Sequence, residues 1–373
     1  MLLIAGASTR AAAFSALRAG FSPHCIDRFA DHDLSSVCPV EWVNHLNNFN
    51  QSSTFAACLP ETPWLYTGPI ENEPALVEAI SAQRPLWGND AETLHQVRDP
   101  LLVHTTLIEQ GFDSPEVAFT ATGLARDGSW LVKPLASGGG EGIVPLDDSW
   151  EGADLPRYFQ KRIPGPSFSG IFVASREKSQ LLGVTRQWTG RPGADFAYIG
   201  SLGPWPLATP ILDSLRRLGE VLRASFGLRG LWGVDFILNE RGLWPVEINP
   251  RYTASVEVLD LAYGHSFLID HARAFDWKPP ESASFRPLPS WRVVGKRVLF
   301  ATRPFTAPSF LEDFAPAFDS SVFRSVADVP NPGTLIRTGE PILTVFAHGA
   351  TLEECQSRLQ DRIQEWERLL GQV

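Results

Sequence analysis

The chain has 373 residues, 44% of them hydrophobic and 20% charged, which supplies a sizeable core and argues against disorder throughout. At about 150 residues per domain, that length predicts two to three domains. Thirty-two basic against 42 acidic residues leave a formal charge of −10, a poor match to a nucleic-acid backbone, although one local cation cluster can still hold a nucleotide.

Residues 2–5 form a short apolar run that ends in Gly6-Ala7-Ser8-Thr9-Arg10. An Ala-rich helical stretch follows, Ala11 to Ala19, then a turn and second strand within Phe21 to Phe29. Strand, Gly/Ser turn and helix predict the opening of an α/β unit, and the alternation continues to Gly88. The start lacks a basic n-region and reads as a strand rather than a signal peptide. No run of about 18 apolar residues occurs, so no membrane-spanning helix is expected, and the default location is cytoplasmic. Cys25, Cys38, Cys58 and Cys355 form no CxxC pair, which predicts neither a disulfide scaffold nor a structural zinc site.

Asn89 to Gly111 reads as helical from its mixed three-and-four apolar spacing. From Pro115 the texture turns to short β-like segments: Trp130–Pro134, Tyr158–Ile163, Phe168–Ala174 and residues 180–189. Pro210 to Phe226 is an amphipathic helix. Gly230–Leu238 and Leu243–Ile248 are strands joined by Asn239-Glu240-Arg241-Gly242, a hairpin turn. Val256 to Phe275 reads as one helix, and the Pro/Ser-rich stretch from Lys278 to Pro289 as a linker. The rest is strand-rich to Ala347 and closes with a helix from Leu352 to Leu370.

Three segments carry chemistry. Lys133 ends a strand just before Ser137-Gly138-Gly139-Gly140-Glu141-Gly142, whose glycines let backbone N–H groups approach phosphate oxygens. The loop matches neither GxxxxGK[ST] nor GxGxxG and taken alone is equally a flexible turn. Across the late hairpin, residues whose numbers add to about 482 face each other, so Asp235 lies opposite Glu247, with Asn249 on the same face. Two carboxylates and an amide oxygen suit Mg²⁺ better than zinc, and Trp232, Val234, Phe236, Trp244 and Val246 make a merely solvated sheet face a poor alternative. Arg251 adds a fixed cation beside them. Gln160-Lys161-Arg162-Ile163, before Pro164-Gly165, offers alternate backbone groups to an adenine edge or is an ordinary edge strand.

In order, Leu131-Val132-Lys133-Pro134, the glycine loop, the hinge strand, Gly233-Val234-Asp235-Phe236 and Val246-Glu247-Ile248-Asn249-Pro250-Arg251 resemble the ATP-grasp family. The resemblance spans roughly residues 89–275 and is most specific in its last motif. It implies an α/β plus α+β architecture: a Rossmann-like leading domain (1–88), an ATP-grasp core (89–275) and a C-terminal strand-rich region with a final helix (276–373). It also implies ATP held between two subdomains, with Mg²⁺ or Mn²⁺ bridging its phosphates. By position, Lys133 would contact the α/β phosphates and Ser137, Gly138, Gly139, Gly140 and Gly142 would form the lid. Gln160 and the Arg162-Ile163 backbone would meet adenine, and Ser167 the ribose. Asp235, Glu247 and Asn249 would hold the metal, with Arg251 on the transferred phosphoryl group. Many members carry Asp-Lys near residue 99; here the sequence is Val97-Arg98-Asp99-Pro100, so either Arg98 substitutes for the lysine or that phosphate contact is absent.

Arg186 and Arg191, flanking a Trp-Thr-Gly loop, are candidate clamps for a substrate carboxylate or residues of a surface loop. Gly6 to Arg10 is either an anion site or plain α/β packing. Asp27, Asp31, His32 and Asp33 read as a solvated loop before a metal site, and His265 and His271 as structural. The resemblance implies an ATP-dependent ligase that joins a small carboxylate to an amine through an acylphosphate, with no nucleic-acid or membrane partner; a homodimer is compatible with it. The texture of the leading segment with Asp31-His32-Asp33-Leu34 is similar to ATP-grasp ligases of one-carbon cofactors, such as tyramine–glutamate ligases of methanofuran synthesis. A biotin-carboxylase-like or purine-pathway carboxylase, suggested by Ala327-Asp328-Val329-Pro330 and Gly339-Glu340-Pro341-Ile342, and a non-catalytic nucleotide-binding protein are the alternatives.

Overall fold

In the computed structural model, residues 1–44, 61–152, 155–278, 289–315 and 318–372 are described. Cys58 and most of the expected linker, residues 279–288, lie outside them.

The leading sheet is parallel, in the order β3-β2-β1-β4, from β1 (Leu2–Gly6), β2 (Pro23–Asp27), β3 (Val40–Trp42) and β4 (Trp64–Tyr66). All five residues of β1 are buried, as a central parallel strand covered on both faces requires. The first helix, Arg10–Arg18, buries Ala12, Ala13 and Ala16, small side chains that allow close approach, together with the large Phe14. The predicted helix over Asn89–Gly111 is two helices, Ala91–Val97 and Pro100–Glu109. Pro100 clashes with helical backbone before it, and Asp99 caps the second helix by accepting from Leu101 N at 2.9 Å.

A second, antiparallel sheet runs β5-β8-β6-β7, from β5 (Val117–Ala118), β6 (Asp127–Pro134), β7 (Val144–Asp147) and β8 (Arg157–Lys161). The third has eight strands in the order β13-β12-β9-β10-β11-β14-β18-β16. It comprises β9 (Ser167–Ala174), β10 (Ser179–Arg191), β11 (Ala194–Gly203), β12 (Gly230–Asn239), β13 (Gly242–Asn249), β14 (Val293–Phe300), β16 (Val326–Ala327) and β18 (Pro341–Gly349). A two-stranded ribbon of β15 (Phe305–Thr306) and β17 (Leu335–Ile336) stands beside it. Sequence reading passed over β11, whose Ala-Tyr-Ile-Gly-Ser texture is weak in β-branched residues. Residue 276 falls between β13 and β14, two strands of one sheet.

One face of this sheet carries the helix Thr209–Phe226, which buries Leu215, Leu218, Leu222 and Phe226 against Phe172 and Trp232. The helix Leu352–Leu369 buries Cys355, Leu359, Ile363 and Trp366 at the same three-and-four spacing. Each such side chain stabilises the fold by roughly 2 kcal/mol. The opposite face holds the helix Ala254–Tyr263. The single helix expected over Val256–Phe275 stops at Gly264, whose φ of +68° closes a left-handed C-terminus, and resumes as Leu268–Ala274.

Candidate active site

The antiparallel ladder of β12 and β13 sets Asp235 opposite Glu247 and Gly233 opposite Asn249. Asn249 Nδ2 donates to Asp235 Oδ2 at 3.0 Å. Loss of water, then the like charge of Glu247, pushes the Asp235 carboxyl up to about 6. A cation between the two would relieve that repulsion, so the pair fits a divalent ion. Among the described residues no group of three or more His, Cys, Asp or Glu side chains forms a closed cation site. A divalent ion held by these two carboxylates and the amide oxygen would keep coordination positions for other oxygen ligands.

These residues line a cavity of about 530 Å³ between the second and third sheets, together with Lys133, Gly139, Gly140, Gln160, Arg162, Ile163, Ser167 and Arg251. Buried Lys133 donates to Gln160 Oε1 at 3.1 Å and to Val246 O at 3.3 Å. The Gln160 side chain thus helps orient the lysine. The Arg162 backbone N–H is bonded to Ser129 O at 2.9 Å. Ser167 Oγ donates to Gln187 Oε1 at 2.9 Å, and Gln187 Nε2 donates to Asp235 Oδ1 at 3.0 Å. This relay fixes the Asp235 carboxylate; nothing in the sequence marked Gln187 except its alternation on β10.

The glycine loop rests on β11. Gly139 O accepts from Tyr198 N at 2.7 Å, and Arg191 Nη2 meets Glu141 Oε1 at 2.7 Å. Gly140 has φ +76°, and a Cβ there would lie 2.0 Å from Phe196 O, so only glycine fits. Ser137 O accepts from Asn72 Nδ2 and from Arg98 Nη2, both at 3.1 Å. Arg98, at the break between two helices, also pairs with Glu247 at 3.2 Å. It therefore joins the glycine loop to the carboxylate pair. Arg251 Nε donates to Glu71 Oε1 at 2.7 Å and Nη2 to Asn249 Oδ1 at 3.2 Å. Burial opposes the charge on Arg251, and the Glu71 carboxylate more than offsets it.

At the other end of the cavity the helix Ala254–Tyr263 begins, with Thr253 as its N-cap. Thr253 is among the residues that line the cavity, and its Oγ1 is buried without a hydrogen-bond partner. Thr185 Oγ1 donates to Ser255 Oγ at 2.8 Å, and Tyr198 and Ser201 share a hydrogen bond of 2.7 Å. Tyr198, Thr253, Ala254 and Ser255 line the cavity here and carry no formal charge.

Several expected roles fall elsewhere. Arg186 borders the cavity, but alternation along β10 turns its side chain to the face opposite Gln187, over the Trp205 ring at 5.3 Å. Arg191 holds the loop through Glu141 rather than lining the cavity. Gly6 to Arg10 is sealed by its own carboxylate: Thr9 N and Oγ1 donate to Asp27 Oδ2 at 2.6 and 2.8 Å. Nor is the acidic segment a solvated loop. Asp27 and Asp33 are buried, and Asp33 accepts from Asp328 N and Val329 N at 3.1 and 3.0 Å. His271 is structural, accepting from Leu231 N at 2.8 Å and donating to Trp87 O at 3.1 Å. His265 pairs with Asp270 at 2.5 Å.

Residues 97–255 match the family model of the ATP-grasp domain. The chain is 23% identical, over 96% of its own length and 94% of the relative's, to an uncharacterized protein of Methanocaldococcus jannaschii. The N5-carboxyaminoimidazole ribonucleotide synthetase of Thermus thermophilus has a similar structure, with a TM-score of 0.68, 16% identity and coverage of 99% of this chain and 98% of that one. The L-amino acid ligase of Bacillus licheniformis is similar at a TM-score of 0.67 and 17% identity, covering 96% of both chains. Residues 97–255 thus match an ATP-grasp domain, and the chain as a whole shares its fold with these two solved structures, in agreement with the order of the motifs and the two sheets closing on one cavity.

Proposed function

We propose that the protein is an ATP-dependent ligase that joins a carboxylate to an amine through an acylphosphate, releasing ADP and phosphate. The observation that carries this reading is the arrangement of Asp235, Glu247, Asn249, Arg251 and Lys133 around one cavity, with the uncharged Tyr198, Thr253 and Ser255 also in its lining. Asp235, Glu247 and Asn249 would hold Mg²⁺, which neutralises phosphate oxygens when bound. Lys133, fixed by Gln160, faces the α/β phosphates, and the glycine loop covers them. Thr253, Ser255 and the helix N-terminus orient the acid so that one carboxylate oxygen attacks the γ-phosphorus and ADP departs. Arg251 stabilises the charge on the moving phosphoryl group. The amine then attacks the acyl carbon, and phosphate leaves with the former carboxylate oxygen. No side-chain nucleophile is needed.

The segments that suggested one-carbon cofactor assembly, Gly6–Ala16 and Asp31–Leu34, are engaged in packing, so tyramine and glutamate are two substrates among many to screen. Release of ADP, scored across amino acids and amines, selects the pair, and ¹⁸O placed in the acid's carboxylate should then appear in the released phosphate. AMP and pyrophosphate as products would reject the reading. Labelled phosphate with bicarbonate alone would establish the carboxylase, a reaction suggested by the likeness to the N5-carboxyaminoimidazole ribonucleotide synthetase.

A further inference from the structure

Two consecutive side chains of the leading domain reach the phosphate end of the cavity from outside the matched residues 97–255. Glu71 Oε1 accepts from Arg251 Nε at 2.7 Å, and Asn72 Oδ1 accepts from Arg98 Nη2 at 2.7 Å. Asn72 Nδ2 donates in turn to Ser137 O of the glycine loop at 3.1 Å. Just upstream, a Cβ on Gly68 would come within 2.9 Å of Arg251 Nη2 and 3.0 Å of its Cζ, so the guanidinium lies directly against the backbone there. Glu71 is 1% exposed, and its Oε2 makes no hydrogen bond. A buried carboxylate with one orphan oxygen is costly, and a specific charge partner offsets that cost.

The bonding of Arg251 is unequal along its guanidinium. Nε, the inner donor, is held by a carboxylate; Nη1 and Nη2 bond only neutral oxygens, of Tyr252 and Asn249, at 3.3 and 3.2 Å. Weak neutral acceptors can be exchanged for phosphoryl oxygens while the inner bond stays, which leaves a forked edge of the guanidinium available. Released from Glu71, Arg251 would have Asp235 and Glu247 as its remaining acidic neighbours and would compete with a metal for them.

We propose that Glu71 is a positioning residue that holds Arg251 in the orientation that receives the γ-phosphoryl group, and that the turn Ile70–Asn72 ties the leading domain to both arginines of the phosphate site. This rests on the proposed function only for the place of the γ-phosphate.

Calorimetry with Mg²⁺ and either ADP or β,γ-methylene-ATP tests it in the full-length chain. Glu71→Gln should weaken the ATP analogue about tenfold, the scale of one charged hydrogen bond, and leave ADP within about twofold. Arg251→Gln should do the same, and the double variant should be no worse than Arg251→Gln alone, because Glu71 acts through Arg251. Glu71→Asp keeps the charge but withdraws it, and an intermediate loss is expected; its ADP affinity reports a folded site if Glu71→Gln fails to fold. A change at Arg251 with none at Glu71, or additive losses in the double variant, would overturn the inference and leave the proposed function standing. Absence of nucleotide binding by the unaltered protein would overturn both.

Discussion

Asp235 and Glu247 sit directly opposite each other on neighbouring strands, and the second carboxylate helps hold the first at about 6. Glu247→Gln removes a metal-ligand charge while keeping the shape of the side chain. Turnover should fall more than about a hundredfold with little change in melting temperature. Titration of ATP with and without EDTA checks the assignment, since equal affinities in the two conditions would mean that no cation bridges protein and phosphate. At the same scale, His271 gives a pH dependence. Burial drives its pKa from 6.5 down to about 4. The folded state therefore binds fewer protons than the unfolded one. The stabilisation is complete above about 6.5, is lost as pH falls towards 4, and amounts to about 3 kcal/mol. Urea unfolding at pH 7.5 and pH 4 should show that loss, and a His271→Gln variant should show much less of it.

Among the elements, the glycine loop is held from several sides, with Arg98 and Arg191 bonded to Ser137 and Glu141. It touches β11 through Gly139 and Gly140 and the leading domain through Asn72. Amide hydrogen exchange over Ser137–Gly142 should slow by about tenfold when Mg²⁺ and an ATP analogue are added, because phosphate oxygens would satisfy the backbone N–H groups that now open to solvent. Equal exchange in both states would remove the loop from the phosphate site. Gly140→Ala should undock it, since the added carbon meets Phe196 O at 2.0 Å and forces an alanine to φ +76°. Its nucleotide affinity should fall while the unfolding free energy changes by no more than about 1 kcal/mol, because the loop covers the core without forming it.

Across the whole molecule, one buried ionic cluster binds the leading domain to the third sheet. Arg10 pairs with Glu257 on the helix Ala254–Tyr263 and with Asp328 at 2.8 Å, and Lys296 of β14 reaches Glu257 at 3.2 Å. Burial alone would raise the Glu257 carboxyl, but the charges of Arg10 and Lys296 overcome it and hold the group at about 2. Its contribution is present above about 4.5, the unfolded value, and is lost as pH falls towards 2. Arg10→Ala should cost about 3–5 kcal/mol by leaving buried acid without its main partner. Denaturant titration measures this, and Asp328→Asn in the Arg10→Ala background should restore part of the loss. The first turn of that same helix lines the cavity through Ala254 and Ser255, so the cluster also fixes that part of its wall.

Local chemistry made much of the site legible before any fold was known. A two-residue alternation and a hairpin turn were enough to place Asp235 opposite Glu247, because register follows from the turn. Three-and-four spacing located the helices Thr209–Phe226 and Leu352–Leu369, because burial of one face repeats with the helical period. Where a side chain points depends on strand parity and on bulges, and these belong to the sheet; hence Arg186 lies across the sheet from Gln187. Partners far apart in sequence were illegible for the same reason. Glu71 and Arg251 are 180 residues apart, and Arg10 and Glu257 are 247 apart. Neither glutamate is distinguished by its neighbours. A single chain records no distance between such residues until the three sheets are assembled. The sequence alone therefore determined which residues face one another across the β12–β13 hairpin. The tertiary structure decided which charges hold that site in place, because a buried ion pair is selected by the burial of both partners, and burial is a property of the assembled fold.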